Sequence, residues 1–120
     1  MNALKLDIFE KIYLHMAPVD GRKNISGLGI IVEQELKLDP FGKYLFVFTN
    51  RSRKVMKILY WDRTGFALWI KKLDREHFRW PRLNEESSSV ISMTDLELLL
   101  NGGDIQKIKL HKTLHYETLS

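Results

Sequence analysis

Positive charge is the chemistry this chain offers most plainly. Between Phe41 and Arg82 stand eleven basic residues against three acidic ones, Asp62, Asp74 and Glu76. The whole chain carries only +4, so the excess is local. Arg51, Arg53 and Lys54 share one polar turn, and Lys71, Lys72, Arg75 and Arg79 follow one strand later. Arg22 and Lys23 come earlier, in a loop just ahead of a helix. Cations gathered on one surface bind phosphate, whereas charges scattered over turns are merely solvated. The choice depends on whether the fold brings these positions together. Lys57 stands apart, inside an apolar strand. Its ordinary reading is a stem packed on the sheet with the amine reaching water. The sharper reading is a cation held for a phosphate or a carboxylate partner.

Other chemistries find little support. The chain has no cysteine, which removes thiol catalysis, disulfides and thiolate metal sites. No serine lies in a nucleophile-elbow pattern. His15, His77, His111 and His115 are scattered, and only the last two share helical spacing. Gly27-Leu28-Gly29 lacks the preceding strand and the third glycine of a dinucleotide fingerprint, and no P-loop is present. Asp20, Asp39 and Asp62 sit at turns, where aspartate serves the backbone. A metal-dependent nuclease needs several converging carboxylates, for which Asp20 with Asp62 is the pairing to consider. The expectation is a protein without catalysis, cofactor or metal.

A chain of 120 residues is read as one domain, 1–120, with residues 111–120 as a flexible tail. No apolar run approaches the roughly 18 residues of a membrane span. The N-terminal MNALKLDIFEKIYLH carries charge throughout, unlike a signal peptide. These features, with the lack of cysteine, point to the cytoplasm and to no membrane partner.

The elements that must position the cations follow from pattern. Residues 4–10 fit a strand or a helical turn equally, and 11–16 read as a strand with Ile12 and Leu14 on one face and Tyr13 on the other. Pro18 and Asp20-Gly21 mark a loop. A helix is expected over Ile25–Leu36, capped by Asn24 or Ser26, with Gly27 and Gly29 suggesting close approach of another backbone. Asp39-Pro40 ends that unit.

Phe41–Pro81 holds all three tryptophans and five of the six phenylalanines. Strands are expected at Tyr44–Thr49, Lys54–Trp61 and Phe66–Leu73, joined by four-residue turns at 50–53 and 62–65, the second of type I. That register sets 46 opposite 57 and 48 opposite 55, then 61 opposite 66, 59 opposite 68 and 57 opposite 70. Both faces are apolar, so the meander must be covered on both sides or curl into a barrel. The same register puts the 50–53 turn and residues 71–75 at one end of the sheet. His77–Trp80 suggests a short fourth strand, 84–89 a loop, and Val90–Met93 a brief strand. Thr94 with Glu97 reads as a capping box for a helix that runs to about Asn101 and stops at Gly102-Gly103. Residues 105–110 read equally as strand or coil.

Two blocks carry a resemblance. PVDGRKNISGLGIIV is similar to P-x-D-x-R-K-x-x-x-G-L-x-x-x-V, and LDPFGKYLFVFTNRSRKVMKILYWDRTGFALWIKKLDREHFRWP follows D-P-x-x-x-x-x-F-V-F…K-I-L-x-W-D-x-x-G-F-x-L-x-x-K-x-L-x-x-x-x-F-x-W-P. Both patterns belong to the small accessory protein, second-open-reading-frame product, of insertion sequences of the IS-66 type. The resemblance covers about Ile12–Pro81, with a weaker match at Leu99–Asp104. Gly21 stands where that family commonly has methionine. The resemblance implies a role in transposition beside a separate transposase, with no catalytic residues. It gives Arg22, Lys23, Lys57 and Lys71 or Lys72 a role beyond solubility.

The combined expectation is one α+β domain: a curved antiparallel meander of about four to six strands with two helices packed on it. Its function would be that of an accessory factor in DNA transposition. Arg22, Lys23, Arg51, Arg53, Lys54, Lys57, Lys71, Lys72, Arg75 and Arg79 would form the DNA-binding set. Expected partners are DNA, the transposase and another accessory subunit of the same element, with self-association left open. The alternative is a protein–protein adaptor that binds the transposase or that subunit without touching DNA.

Overall fold

The structure, a computed structural model, describes residues 8–82 and 85–105. Its frame is a five-stranded sheet of β1 (Lys11–His15), β2 (Tyr44–Thr49), β3 (Val55–Asp62), β4 (Gly65–Lys72) and β5 (Ser88–Ile91), in the spatial order β4-β3-β2-β1-β5. β2, β3 and β4 form the expected antiparallel meander. β1 runs parallel to β2, which corrects the all-antiparallel expectation. Parallel neighbours need a long crossover, and the helix-bearing connection between His15 and Tyr44 supplies it. β5 closes the far edge, antiparallel to β1.

The β3–β4 register is the expected one, with Trp61 opposite Phe66, Leu59 opposite Leu68 and Lys57 opposite Ile70. The β2–β3 register differs by two residues: Phe46 faces Leu59 and Phe48 faces Lys57. The connecting turn is longer than four residues because the Asn50 side chain organises it. Asn50 Oδ1 accepts from the amides of Lys54 and Val55, both at 3.2 Å, and Arg53 takes a left-handed φ of 59°. An even shift leaves every side chain on its expected face. The second turn is a two-residue loop, since Asp62 and Gly65 themselves pair and Arg63 has a φ of 50°. This positive φ rules out the expected type I turn.

The sheet stays open because both faces are covered. Phe46, Phe48 and Leu59 pack under Leu28 and Val32. On the other side Leu45, Val47, Met56 and Ile58 meet Ile12, Leu14, Phe78, Trp80, Leu96 and Leu99. The first helix is shorter than expected: α1 spans Ile25–Ile30 and gives way to a wide π turn, Ile31–Glu35, with the Leu36 amide on Ile31 O at 2.9 Å. Asn24 holds the cap position without a side-chain bond. A Cβ on Gly27 would meet only the Lys23 side chain, and one on Gly29 would meet nothing within 4 Å. Among the described residues, then, no other backbone is the near neighbour of either glycine.

Residues 77–80 are not a strand. The Phe78 amide goes to Arg53 O at 2.7 Å and the Trp80 indole to His15 O at 2.9 Å, so the segment folds across the sheet end with both rings buried. β5 starts two residues before the expected strand and takes in Ser88 and Ser89, because Ser92 ends it as a helix cap. α2 spans Met93–Leu100, and its capping box is Ser92 with Asp95 rather than Thr94 with Glu97. It ends as expected at the glycines. The amides of Gly102 and Gly103 bond Leu99 O and Leu98 O at 3.1 and 2.8 Å, and Gly102 has a φ of 86°. The expectations for 4–7, for 106–110 and for a tail at 111–120 lie outside the described residues.

The location of the cap gives a direct test. Ser92→Ala should lower unfolding free energy by about 1 kcal/mol in urea titration, while Thr94→Ala should change it by less than about 0.5 kcal/mol.

Candidate nucleic-acid interface

Strand direction gathers three connections at one end of the sheet. β1, β2 and β4 finish there, and β3 and β5 begin there. Backbone bonds tie the connections together. The Val19 amide bonds Thr49 O at 2.8 Å, Leu73 bonds Lys54 O at 2.7 Å and Met16 bonds Ser87 O at 3.1 Å. The expected nearness of the 50–53 turn to residues 71–75 is therefore present. Arg22, Lys23, Arg51, Arg53, Lys72, Arg75 and Arg79 are exposed at this end, and Lys54 is half-buried beside them. Lys71 is turned to the face of α2, where its Nζ donates to Leu100 O at 3.2 Å. That bond satisfies a helix-end carbonyl with a cation suited to the dipole there.

The Lys57 amine does not reach water, as its ordinary reading would have it. Its side chain is 6% exposed and lies against Val19, Phe48, Thr49 and Val55. Its ammonium donates to Gly21 O and Lys23 O, both at 2.7 Å. The amine thus ends on protein carbonyls rather than in water. A buried ammonium must be hydrogen-bonded, and these two carbonyls do this while drawing residues 21–23 onto the sheet. The Arg22 and Lys23 side chains are left exposed, next in the chain to an open cleft formed by Pro18–Gly21 and Asn50–Ser52.

Asp20 shapes the same loop. Its carboxylate accepts from the Arg22 amide at 2.9 Å, from Nε at 3.1 Å and from Nη2 at 2.8 Å. These bonds hold the Asp20 carboxyl well below the usual carboxylate range, and they raise the Arg22 guanidinium. A lowered carboxyl contributes stability that is present above its unfolded value and is lost only as pH falls through the folded one. Both groups face solvent, so the contribution is small. Asp62 ends β3 at the opposite end of the sheet. Eight strand residues, roughly 23 Å, separate it from the Asp20 end, so the two carboxylates cannot share a metal. Among the described residues no three His, Asp or Glu side chains converge on a metal position.

Two further features shape the surroundings. His15 is buried, with Nδ1 on Ala17 O at 2.6 Å and Nε2 on Glu35 Oε1 at 3.0 Å, and it ties β1 to the π turn. Its solitary place in the sequence gave no sign of this. The Phe41, Trp61 and Phe66 rings cluster with centroids 5.0–5.4 Å apart beside the 62–65 turn. That is the end remote from the cations.

A small α+β domain with one strongly basic sheet end is the class these observations define. The chain matches the IS66 Orf2-like protein family over residues 10–110. It is 35% identical over 94 residues to the uncharacterized protein y4hO of Sinorhizobium fredii, covering 78% of this chain and 81% of that protein. It is 29% identical over 99 residues to y4jC of the same organism, also uncharacterized, covering 82% and 84%. No solved structure matches. The chain belongs to the IS66 Orf2-like family. Membership gives it an accessory role in insertion-sequence transposition, which implies a transposase as companion. No helix among the described residues is long and apolar enough to cross a membrane.

The loop geometry rests on Lys57. Lys57→Met keeps the stem but removes both bonds, and unfolding free energy should fall by about 2 kcal/mol. Hydrogen exchange at residues 20–24 should quicken in the same variant. A change confined to global stability, with the loop amides unaffected, would contradict the assignment.

Proposed function

We propose that this protein binds the sugar–phosphate backbone of duplex DNA through the basic end of its sheet, as a non-catalytic subunit beside the transposase. The observation that carries this reading is the convergence of three separate connections, each bringing cations, on one surface. Arg22, Lys23, Arg51, Arg53, Lys54, Lys72, Arg75 and Arg79 would contact phosphates. Lys57 would act through the 21–23 loop, and Lys71 through the end of α2.

Two features refine the nucleic acid. Binding of single strands combines cations with aromatic stacking platforms, and here the exposed aromatic cluster lies at the other end. Sequence reading by a helix needs base-contacting side chains on a helix that can enter the groove. α1, which starts at the basic end, is six residues long and carries no Arg, Asn or Gln. Backbone binding with little sequence preference fits both facts. A DNA partner also favours the cytoplasm as location. Exposed Phe41 supports the adaptor reading, in which that other end holds the transposase or another accessory subunit.

Duplex binding measured against salt tests the proposal. Affinity should fall steeply as salt rises, with about 0.9 unit of log–log slope per phosphate contact. Changing Arg51, Arg53 and Lys54 together to Ala should lower the slope by roughly 2–3 units. Absence of binding at low salt would overturn it.

A further inference from the structure

We infer that two copies of this chain associate edge to edge through β4, about a two-fold axis at Leu68. Among the described residues β4 is an edge strand with one neighbour, eight residues long, GFALWIKK, and none of the eight is buried. Soluble proteins blunt such edges with charge, proline or short length. The other edge follows that rule, since β5 has four residues and begins with two serines. β4 does not: its lysines stand only at its last two positions, and Ile70 is 51% exposed.

The backbone phase supports pairing. The Leu73 amide bonds Lys54 O on β3, so odd-numbered residues of β4 turn their peptide groups inward. Phe66, Leu68, Ile70 and Lys72 therefore turn theirs outward, unpaired along the edge. An antiparallel copy centred on Leu68 sets Leu68 opposite itself, Ile70 opposite Phe66 and Trp69 opposite Ala67. Apolar meets apolar, the largest side chain meets a small one, and Lys71 and Lys72 meet Gly65 and Thr64. Sliding by one residue either sets Lys71 against Arg63 or Lys72 against Phe66. The Leu68 register alone among these three keeps cations away from both.

The layer above the sheet fits the same axis. α1 packs over β3 and β4, and a two-fold normal to the sheet puts both α1 helices on one face, across the seam. Ile30, 55% exposed, and Gly29, with nothing near its Cβ position, lie on that flank beside Phe41 and Phe66. Among the described residues Gly29 thus leaves room on that flank for the second copy's helix. If the DNA reading above is also right, the two basic ends face opposite ways, and a dimer can bridge two DNA segments.

Sedimentation without DNA tests the dimer, so its failure would leave the DNA reading intact. The protein should run at twice its 14.2 kDa chain mass at micromolar concentration. Ile70→Lys should reduce it to one chain with unchanged circular dichroism, while Val90→Lys on the β5 edge should not. The register has its own test, because the chain lacks cysteine. Leu68→Cys should form a disulfide-linked dimer under mild oxidation, since hydrogen-bonded antiparallel pairs stand about 5.5 Å apart at Cα, within disulfide range. Val90→Cys should not crosslink. A monomeric wild type, or loss of the dimer in Val90→Lys with its retention in Ile70→Lys, would overturn the inference. Failure of Leu68→Cys to crosslink would overturn the register.

Discussion

A lysine ammonium bonded to two loop carbonyls is the constraint on which the basic surface depends. Lys57 leaves the middle of the sheet on the α1 side and ends on Gly21 O and Lys23 O, each 2.7 Å away. These bonds add to the Val19–Asn50 bridge in holding the start of the loop near the 50–54 turn. With them, the loop that carries Arg22 and Lys23 starts against the turn that carries Arg51 and Arg53. One buried cation thereby helps to order the exposed ones. The arrangement also explains how a charged residue is tolerated in an apolar strand: its stem packs with Phe48 and Val55, and its head finds oxygen acceptors.

The remainder of the fold follows from covering two apolar sheet faces at once. Alternation along β2 and β3 sends Phe46, Phe48 and Leu59 to one side and Leu45, Val47, Met56 and Ile58 to the other. The crossover from β1 supplies one cover, and Phe78, Trp80 and α2 supply the second. Because β1 enters parallel to β2, the loop after β1 emerges at the end where β2 finishes. An antiparallel β1 would have delivered Arg22 and Lys23 to the aromatic end. The parallel pairing is therefore as important to the site as the cations themselves.

Side-chain periodicity made much of this legible in the sequence, and loss of local signal hid the rest. The strands β1 to β4, their faces and the β3–β4 register follow from period-two patterning and the tight 62–65 turn. The β2–β3 register was two residues off because Asn50, an ordinary turn residue, bonds two amides beyond a four-residue loop. The cap falls on Ser92 rather than the expected Thr94, since both satisfy the same pattern and burial of Leu96 and Leu99 sets the helix phase. The nearness of the basic turn to β4's end was readable, as it needs only strand direction. The destination of Lys57 was not, because backbone carbonyls carry no residue identity. The family resemblance marked Lys57 without saying what it does.

The central claim is that Lys57 positions the phosphate-binding loop and makes no phosphate contact itself. Duplex binding against salt by Lys57→Met, made in a background already carrying Arg22→Ala and Lys23→Ala, separates the two roles. A residue that acts only by positioning those two cations should leave the log–log slope of that background unchanged. A further fall of about one unit, the signature of one more lost phosphate contact, would contradict the account.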